Sequence, residues 1–387
     1  MLKQARKIAC LMIFAVLFLG LSACQSGGDE EPNVKYDVKR YLILDQEGLI
    51  LSGEKSLTWR LDGVDVVHIG ADTSHLTDSK TYRGKDCYVE PVGTGYAVLT
   101  LEENGKKKYT YLLQVTSIGE ACRMWVEEGE NLYGLSEEEK EGARLIKESI
   151  SHIISEDMSV LEKVKAVHDY LCMNNTYNQT NYNSGVYESY DHTIAGPMIY
   201  HTSVCEGYAE VFDCYMEFLD IPHHYIIGNA TGIGKHSWNM VQLEDDQWYH
   251  VDTTWDDHDD SDAGINGRWY SYFLMTDAKA QNSRSWNRAR YPACKGRKYQ
   301  DYAKKLNIAL VEEAYSSYQY CESKELLINQ LISKSKTNST VRLFTVPDVE
   351  LNDSDIKKIQ NNTIGSAISI DLQRVPEEYS LYTFYIH

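Results

Sequence analysis

Residues 203–257, SVCEGYAEVFDCYMEFLDIPHHYIIGNATGIGKHSWNMVQLEDDQWYHVDTTWDD, constrain the fold more than any other part of the chain. After Cys205 the large apolar side chains fall at Tyr208, Phe212, Tyr215 and Leu219, and steps of four, three and four mark one face of a helix. Cys205 therefore opens that helix. Unpaired backbone N–H groups and the helix dipole favour an anion there, and the thiolate is the nucleophilic form of a cysteine. Gly207 lets another part of the backbone come close beside it.

Two runs of period two follow. His236, Trp238 and Met240 share one strand face, and Trp248, His250 and Asp252 share a face of the next strand. With Glu244, Asp245 and Asp246 as the connection, Gln247 pairs with Leu243 and Asp252 falls opposite Trp238. His236 is then the diagonal neighbour of Asp252, roughly 7–8 Å away at the backbone, a gap two side chains can close. The carboxylate can fix the imidazole's tautomer while the other ring nitrogen faces the thiol. This is a nucleophile, base and orienter: Cys205, His236 and Asp252. A cysteine at a helix start is usually a small core residue, and a single strand histidine is usually structural. The three in this order and context point to chemistry instead.

The blocks VCEGYA, HSWNMV and WYHVDTTWDD resemble the core of the bacterial transglutaminase-like superfamily. The similarity extends upstream through EKVKAVHDYLCMNNTYN to Tyr200 and downstream through YFLMTD. It implies an α+β fold of papain-like type and acyl transfer at amide bonds of a protein or peptide, cell-wall peptide included. By motif position it implies Cys205 as nucleophile, His236 as base and Asp252 as orienter. A thioester would be resolved by water, giving a peptidase or amidase, or by an amine, giving a protein-glutamine transglutaminase. Hydrolysis is the favoured reading on an open cell surface. The rival from another class is a non-catalytic binding or scaffold protein built on the same fold. Neither reading requires a metal or a cofactor.

The polar stretch NNTYNQTNYNSGVYESYDHT, upstream of the nucleophile, is expected to border the cleft. Tyr177 and Tyr182 are candidate substrate contacts, and either hydroxyl is a candidate oxyanion donor beside the backbone N–H of Cys205. Trp238 and Trp255 are further candidate substrate contacts, with Trp255 in the cleft wall. His168 lies on an apolar helix and reads as structural. The acidic run DDHDDSD at 256–262 lacks the glycine and terminal glutamate of an EF-hand, and a solvated loop is expected.

The N-terminus reads as an export signal. A basic start, MLKQARK, precedes the apolar run IACLMIFAVLFLG and then Leu21-Ser22-Ala23-Cys24, which resembles a bacterial lipobox. Lipidation of Cys24 would anchor the protein to the outside of a bacterial membrane without spanning it. The net charge of −19 argues against nucleic acid as a partner. Beyond Cys10, Cys24 and Cys205, six cysteines remain, enough for three disulfides in an exported protein. Cys172 and Cys214, on apolar helices, read as buried thiols, and no CxxC pair supports a zinc site.

The chain reads as multidomain. Residues 1–23 form the signal peptide and 24–33 a polar tether. Residues 34–117 form short strands around Asn104-Gly105, a hairpin signal, and resemble an all-β Ig-like sandwich serving as a spacer. Residues 118–304 hold the α+β transglutaminase-like domain, entered through two capping boxes, Ser136 with Glu139 and Ser159 with Glu162. Its closing strand is expected at RWYSYFLMTD. Residues 305–387 read as a small α/β or α+β accessory domain, with helices at KELLINQLI and NDSDIKKIQN and strands at VRLFTV, IGSAISIDL and YSLYTFYIH.

Overall fold

The computed structural model describes residues 30–46, 48–257, 267–346, 349–363, 368–375 and 379–387. The signal segment, Cys24 and residues 258–262 of the acidic run lie outside the described residues. The chain forms two compact units: one holds the residues up to Ala121 together with Asn287–Ala293, and the other holds Cys122–Trp286 and Cys294–His387.

The first unit is all-β. Its strands are β1 (Val38–Ile43), β2 (Leu49–Asp62), β3 (Val67–Gly70), β4 (Leu76–Thr77), β5 (Thr81–Pro91), β6 (Gly95–Glu103) and β7 (Lys106–Thr116). They hydrogen-bond in the order β1-β7-β6-β2-β5-β3-β4. The long β2 pairs with both β5 and β6, with a register shift between Ser52 and Leu57. Trp59, Leu61, Ile69, Val89, Leu99 and Leu113 fill the core. The hairpin at Asn104-Gly105 forms as expected, with φ of 51° and 75°. Both residues are left-handed, the backbone that matches the twist of the flanking strands β6 and β7.

The second unit is built around one buried helix. In order come α1 (Ile118–Glu128), whose first four residues are counted with the first unit, α2 (Glu137–Ile153), α3 (Val160–Asn174), β8 (Thr176–Tyr177), α4 (Gln179–Ser184), β9 (Thr202–Ser203), α5 (Cys205–Phe218), β10 (His223–Ala230), β11 (Gly234–Gln242), β12 (Trp248–Val251), α6 (Thr253–Asp256), α7 (Asp277–Ala280) and β13 (Arg284–Trp286). Both capping boxes are present, at Ser136/Glu139 and Ser159/Glu162, and fix where α2 and α3 begin. Helices α2 and α3 cover one side of α5, and the antiparallel sheet β12-β11-β10-β13 covers another. The one-faced helix expected from the apolar spacing is corrected: α5 is buried almost all round, including Val211, Cys214 and Met216. A helix enclosed on several sides needs apolar or paired groups on each of them. Asp213 meets that need through the His223 ring, 3.1 Å away.

The closing strand expected at 268–277 is absent. That segment has only isolated bridges, Asp257 to Arg268 and His250 to Met275. Its Trp269, Tyr270, Phe273, Leu274 and Met275 are all buried, so its side chains do not alternate. Its amides bond elsewhere: Trp269 N donates to the Asp256 carbonyl at 2.8 Å, Tyr270 N to Asn307 Oδ1 at 2.9 Å and Tyr272 N to Asp256 Oδ1 at 2.8 Å. The sheet edge is taken by β13 instead, which pairs with β10. Gly228 on β10 permits this pairing, because a Cβ there would lie 2.4 Å from the Ser285 carbonyl oxygen and 2.7 Å from the Trp238 ring.

The C-terminal layer follows with α8 (Gln300–Ala314), β14 (Gln319–Tyr320), α9 (Lys324–Lys334), β15 (Thr340–Thr345), α10 (Asp353–Asn362), β16 (Ile368–Val375) and β17 (Tyr379–Ile386). Its strands run in the order β14-β15-β17-β16, and Leu327, Leu331, Val341, Leu343 and Phe384 form a core between sheet and helices. The helices and strands expected from residue 324 onward are present among the described residues, the strand at IGSAISIDL from Ile368 with 364–367 outside them, and α8 is an addition. No disulfide joins the six cysteines. Cys87, Cys122, Cys172, Cys214, Cys294 and Cys321 are free, buried thiols. Cys87 and Cys321 sit in separate cores, and burial pushes their thiols up, to about 12 and about 11.

Candidate active site

Cys205 is the first residue of α5 and is partly exposed. The N-cap, Val204, has no side-chain acceptor, so no side chain caps the first turn of the helix. Gly207 packs its backbone against the approaching segment: a Cβ there would lie 2.1 Å from Ser203 Oγ and 2.8 Å from the Thr193 carbonyl oxygen.

The sheet register agrees with the loop arithmetic. Leu243 N donates to the Gln247 carbonyl at 3.1 Å, and Asn239 pairs with Val251, which puts Asp252 opposite Trp238. Strand β12 ends at Val251, so Asp252 is not a strand residue. It caps α6, accepting from Trp255 N at 3.1 Å through Oδ1. Its other oxygen, Oδ2, lies 2.7 Å from His236 Nε2. Asp252 takes Nε2, which leaves Nδ1 as the ring nitrogen for the thiol, and His236 and Cys205 line the same pocket. The three expected residues therefore meet. Burial pushes the His236 imidazole down, but the carboxylate of Asp252, aided by Cys205, more than reverses this and raises it to about 9.

The sequence reading missed Arg284. It lies on β13, is 3% exposed, and donates from Nε to Asp252 Oδ2 at 2.9 Å and from Nη2 to the same oxygen. Its guanidinium lies over the rings of Trp255 and Tyr272, 4.1 and 4.5 Å from their centroids. Burial pushes the Asp252 carboxyl up, yet Arg284 and His236 hold it well below the usual carboxylate range. The only available signal was a matter of charge: a buried, ionised aspartate needs more than one neutral imidazole as partner.

A cavity of about 500 Å³ opens in front of Cys205 and His236. Tyr177, Tyr182, Tyr187, Ile233 and Trp255 line it, so three of the four expected substrate contacts stand at the pocket. Trp238 does not. It is 1% exposed, stacks behind His236 with 5.7 Å between ring centroids, and donates its indole N–H to His250 Nδ1 at 3.0 Å. The alternation that put Trp238 on the face of His236 was right, but the next layer of core covers it. Beside the thiol, Glu206 accepts from Lys235 at 3.0 Å and is paired with His192. Burial raises the Glu206 carboxyl, and the two cationic partners more than offset this, so it stays ionised.

Behind α6, His168 is fully buried between Asp256 and Asp169, 3.1 and 3.2 Å away. It ties α3 to the helix that Asp252 caps, which agrees with a structural role. Asp256, expected in a solvated loop, is instead part of this buried network. Among the described residues, His250, Asp277 and Cys294 bring three possible ligand atoms within 4.8 Å of one another. Both ring nitrogens of His250 are already engaged, by Trp238 and by Asp277 at 3.0 Å, which suits a structural pair better than a metal centre.

Residues 148–253 match the family described as the Transglutaminase-like superfamily. No curated protein matches the chain. Among solved structures, one described as a TGase is 18% identical and covers 42% of this chain and 44% of its own, with a TM-score of 0.26. A candidate cysteine protease from Cytophaga hutchinsonii is 13% identical over 53% of this chain and 79% of its own, with a TM-score of 0.26. A candidate protease from Parabacteroides distasonis is 8% identical over 88% of this chain and 65% of its own, with a TM-score of 0.25. This chain thus spans less than half the length of the first and just under two thirds of the third. What the chain shares with a known family is a transglutaminase-like stretch at residues 148–253, and it contains Cys205, His236 and Asp252.

Proposed function

We propose that the protein is a cysteine enzyme acting on amide bonds of proteins or peptides through a thioester on Cys205, and that water is its usual acceptor. The observation that carries this is Cys205 and His236 at the wall of one pocket, with the His236 ring bonded to Asp252 at 2.7 Å behind them. In the first step the Cys205 sulfur attacks the amide carbonyl, the C–N bond breaks, and His236 gives its proton to the leaving amine or ammonia. In the second, water attacks the thioester, His236 takes a proton from it, and the C–S bond breaks to release the acid and restore the Cys205 thiolate beside protonated His236. A primary amine in place of water would give cross-linking. Hydrolysis is the favoured outcome because cross-linking requires water to be kept out.

The test is incubation of the full chain with a peptide mixture, with and without a primary amine, read by mass spectrometry. Hydrolysed products should dominate in both. Dominant amine incorporation would make the protein a transglutaminase, and no Cys205-dependent product from folded protein would favour the scaffold reading.

The same proposal places the protein outside the cell, anchored by lipid on Cys24, with residues 34–117 as an Ig-like spacer and 305–387 as an accessory domain. The lipobox-like LSAC supports the anchor. Among the described residues no helix is long and apolar enough to cross a membrane. Intact-mass analysis of membrane-extracted protein should show loss of residues 1–23 and an acylated Cys24. A free thiol at Cys24 or a different start would remove the anchor.

A further inference from the structure

We propose that Ile233, at the tip of the β10–β11 hairpin, is the specificity-determining residue of this site, and that it selects peptides with a neutral apolar side chain, aromatic or branched, next to the residue whose amide is attacked. The inference rests on the amide-acyl reading just given and names its substrate class.

Ile233 is out of character for its place. Residues 231–233 turn the chain between Ala230 and Gly234, which pair across the hairpin. Turns are built mostly from glycine, proline and small polar residues. Gly232 and Gly234 fit that pattern, with φ of 79° and 101°. Ile233 does not, and it is 45% exposed at the pocket in front of Cys205. Tyr187, 40% exposed, brings a second large apolar surface to the same pocket from the loop after α4. Both leave apolar area in water that a bound side chain would cover.

The hairpin tip is held before any substrate arrives. Ile233 N donates to the Ala230 carbonyl at 3.2 Å, and Thr231 N to the Ser283 carbonyl at 2.8 Å. The Tyr182 hydroxyl donates to the Ile233 carbonyl at 3.4 Å. Two residues on, Lys235 donates to Glu206 at 3.0 Å, which ties the neighbour of His236 to the neighbour of Cys205. Glu206 is also paired with His192, whose ring stands edge-on to that of Tyr187 with 4.5 Å between centroids. One carboxylate beside the nucleophile thus links the segments that carry Ile233 and Tyr187. A surface fixed in advance binds a substrate without the cost of ordering it.

The charged groups of the pocket favour a neutral guest. Glu206 lies between Lys235 and His192, and Asp257 accepts from the Tyr208 hydroxyl. A charged substrate side chain would have to displace one of these partners or lose water beside Ile233 with nothing in return. A neutral apolar one covers Ile233 and Tyr187 at no such cost.

The test uses the peptides acetyl-Ala-X-Gln-X-Ala-amide with X as Phe, Leu, Asp or Lys, so that backbone cleavage and glutamine deamidation are both read by mass spectrometry. kcat/KM is measured for each in the full chain, as wild type, Ile233→Glu and Ile233→Ser, with Cys205→Ala as the blank. Ratios taken within one protein do not depend on its active fraction, and thermal melting checks the fold. Wild type should favour Phe and Leu over Asp and Lys by about 10- to 100-fold, the fold equivalent of burying one large apolar side chain. In Ile233→Glu the Phe-to-Lys ratio should fall at least about 10-fold. Ile233→Ser, which removes the apolar group without adding charge, should lower it in the same direction and decides the matter if Ile233→Glu does not fold. A wild type that does not favour Phe and Leu, or a preference that the folded variants retain, overturns the inference and leaves the proposed function standing. No Cys205-dependent product from the wild type with any of the peptides overturns both.

Discussion

Cys205→Ser and His236→Ala should each lower turnover by roughly 10⁴- to 10⁶-fold, the range seen when the nucleophile or base of a hydrolase is removed. The hydroxyl of serine is far harder to ionise than a thiol. Without His236 the imidazole that Asp252 positions to return a proton to the leaving amine is gone. Cys205 should also be the cysteine most quickly alkylated in the folded protein. It is partly exposed, whereas the other six described cysteines are buried. His236→Ala should slow that alkylation.

The pH profile follows from the imidazole. His236 keeps its proton up to about 9, so proton donation to the leaving group persists through neutrality and is lost as pH rises past that value. Because the folded imidazole binds its proton more tightly than an unfolded one, its stabilising contribution is full below about pH 6.5 and fades as pH rises toward 9. Asp252→Asn removes the carboxylate that raises His236 and leaves the burial that lowers it, so the alkaline limb of kcat should move to lower pH. An unmoved limb, or alkylation of Cys205 indifferent to His236, would remove the triad assignment.

Arg284→Met should cost about 3–5 kcal/mol of stability, the usual consequence of leaving one member of a buried ion pair without its partner. Arg284 and Asp252 both have fully buried side chains, and Arg284 donates twice to the oxygen that also holds His236. Turnover should fall as well, because Arg284 positions His236 through Asp252. Arg284→Lys should recover part of the stability and less of the activity, since a point charge cannot reproduce a planar donor stacked on Trp255.

Asp252→Asn has two effects for the same reason. It misorients His236, which in a serine triad costs about 10⁴-fold. It also leaves Arg284 buried and unpaired, so the variant should be less stable than the triad alone would suggest. The double variant, Arg284→Met with Asp252→Asn, should be less destabilised than the sum of the singles by at least about 1 kcal/mol. Urea unfolding of the four proteins measures this. Additive losses would show that the pair is not coupled.

Much of the fold was legible because its signals are local. Asn104-Gly105 specifies a hairpin through two left-handed residues, and the two capping boxes satisfy helix-end amides with side chains three positions away. The register between β11 and β12 followed from a loop of three residues, so the meeting of His236 and Asp252 could be derived by counting. The elements from Lys324 onward followed in the same way from apolar periodicity.

What counting could not supply depends on which surfaces close over which. Periodicity marks the face of α5 that meets one partner, but not that a sheet and two helices enclose it. Alternation puts Trp238 on the face of His236, but not beneath the layer that removes it from the pocket. Tyr177 and Tyr182 are alike in sequence. They separate only when the parallel pairing of β8 with β9 sets Tyr177 opposite Ser203 and the Ile233 carbonyl takes the hydroxyl of Tyr182. Arg284 reaches Asp252 across 32 residues of chain, through a three-residue strand added to the far edge of the sheet. The sequence by itself determined the register that brings His236 to Asp252, because short loops leave a chain few ways to turn. The tertiary structure alone decided the cation that holds Asp252, because strand order and burial are settled by the packing of distant segments.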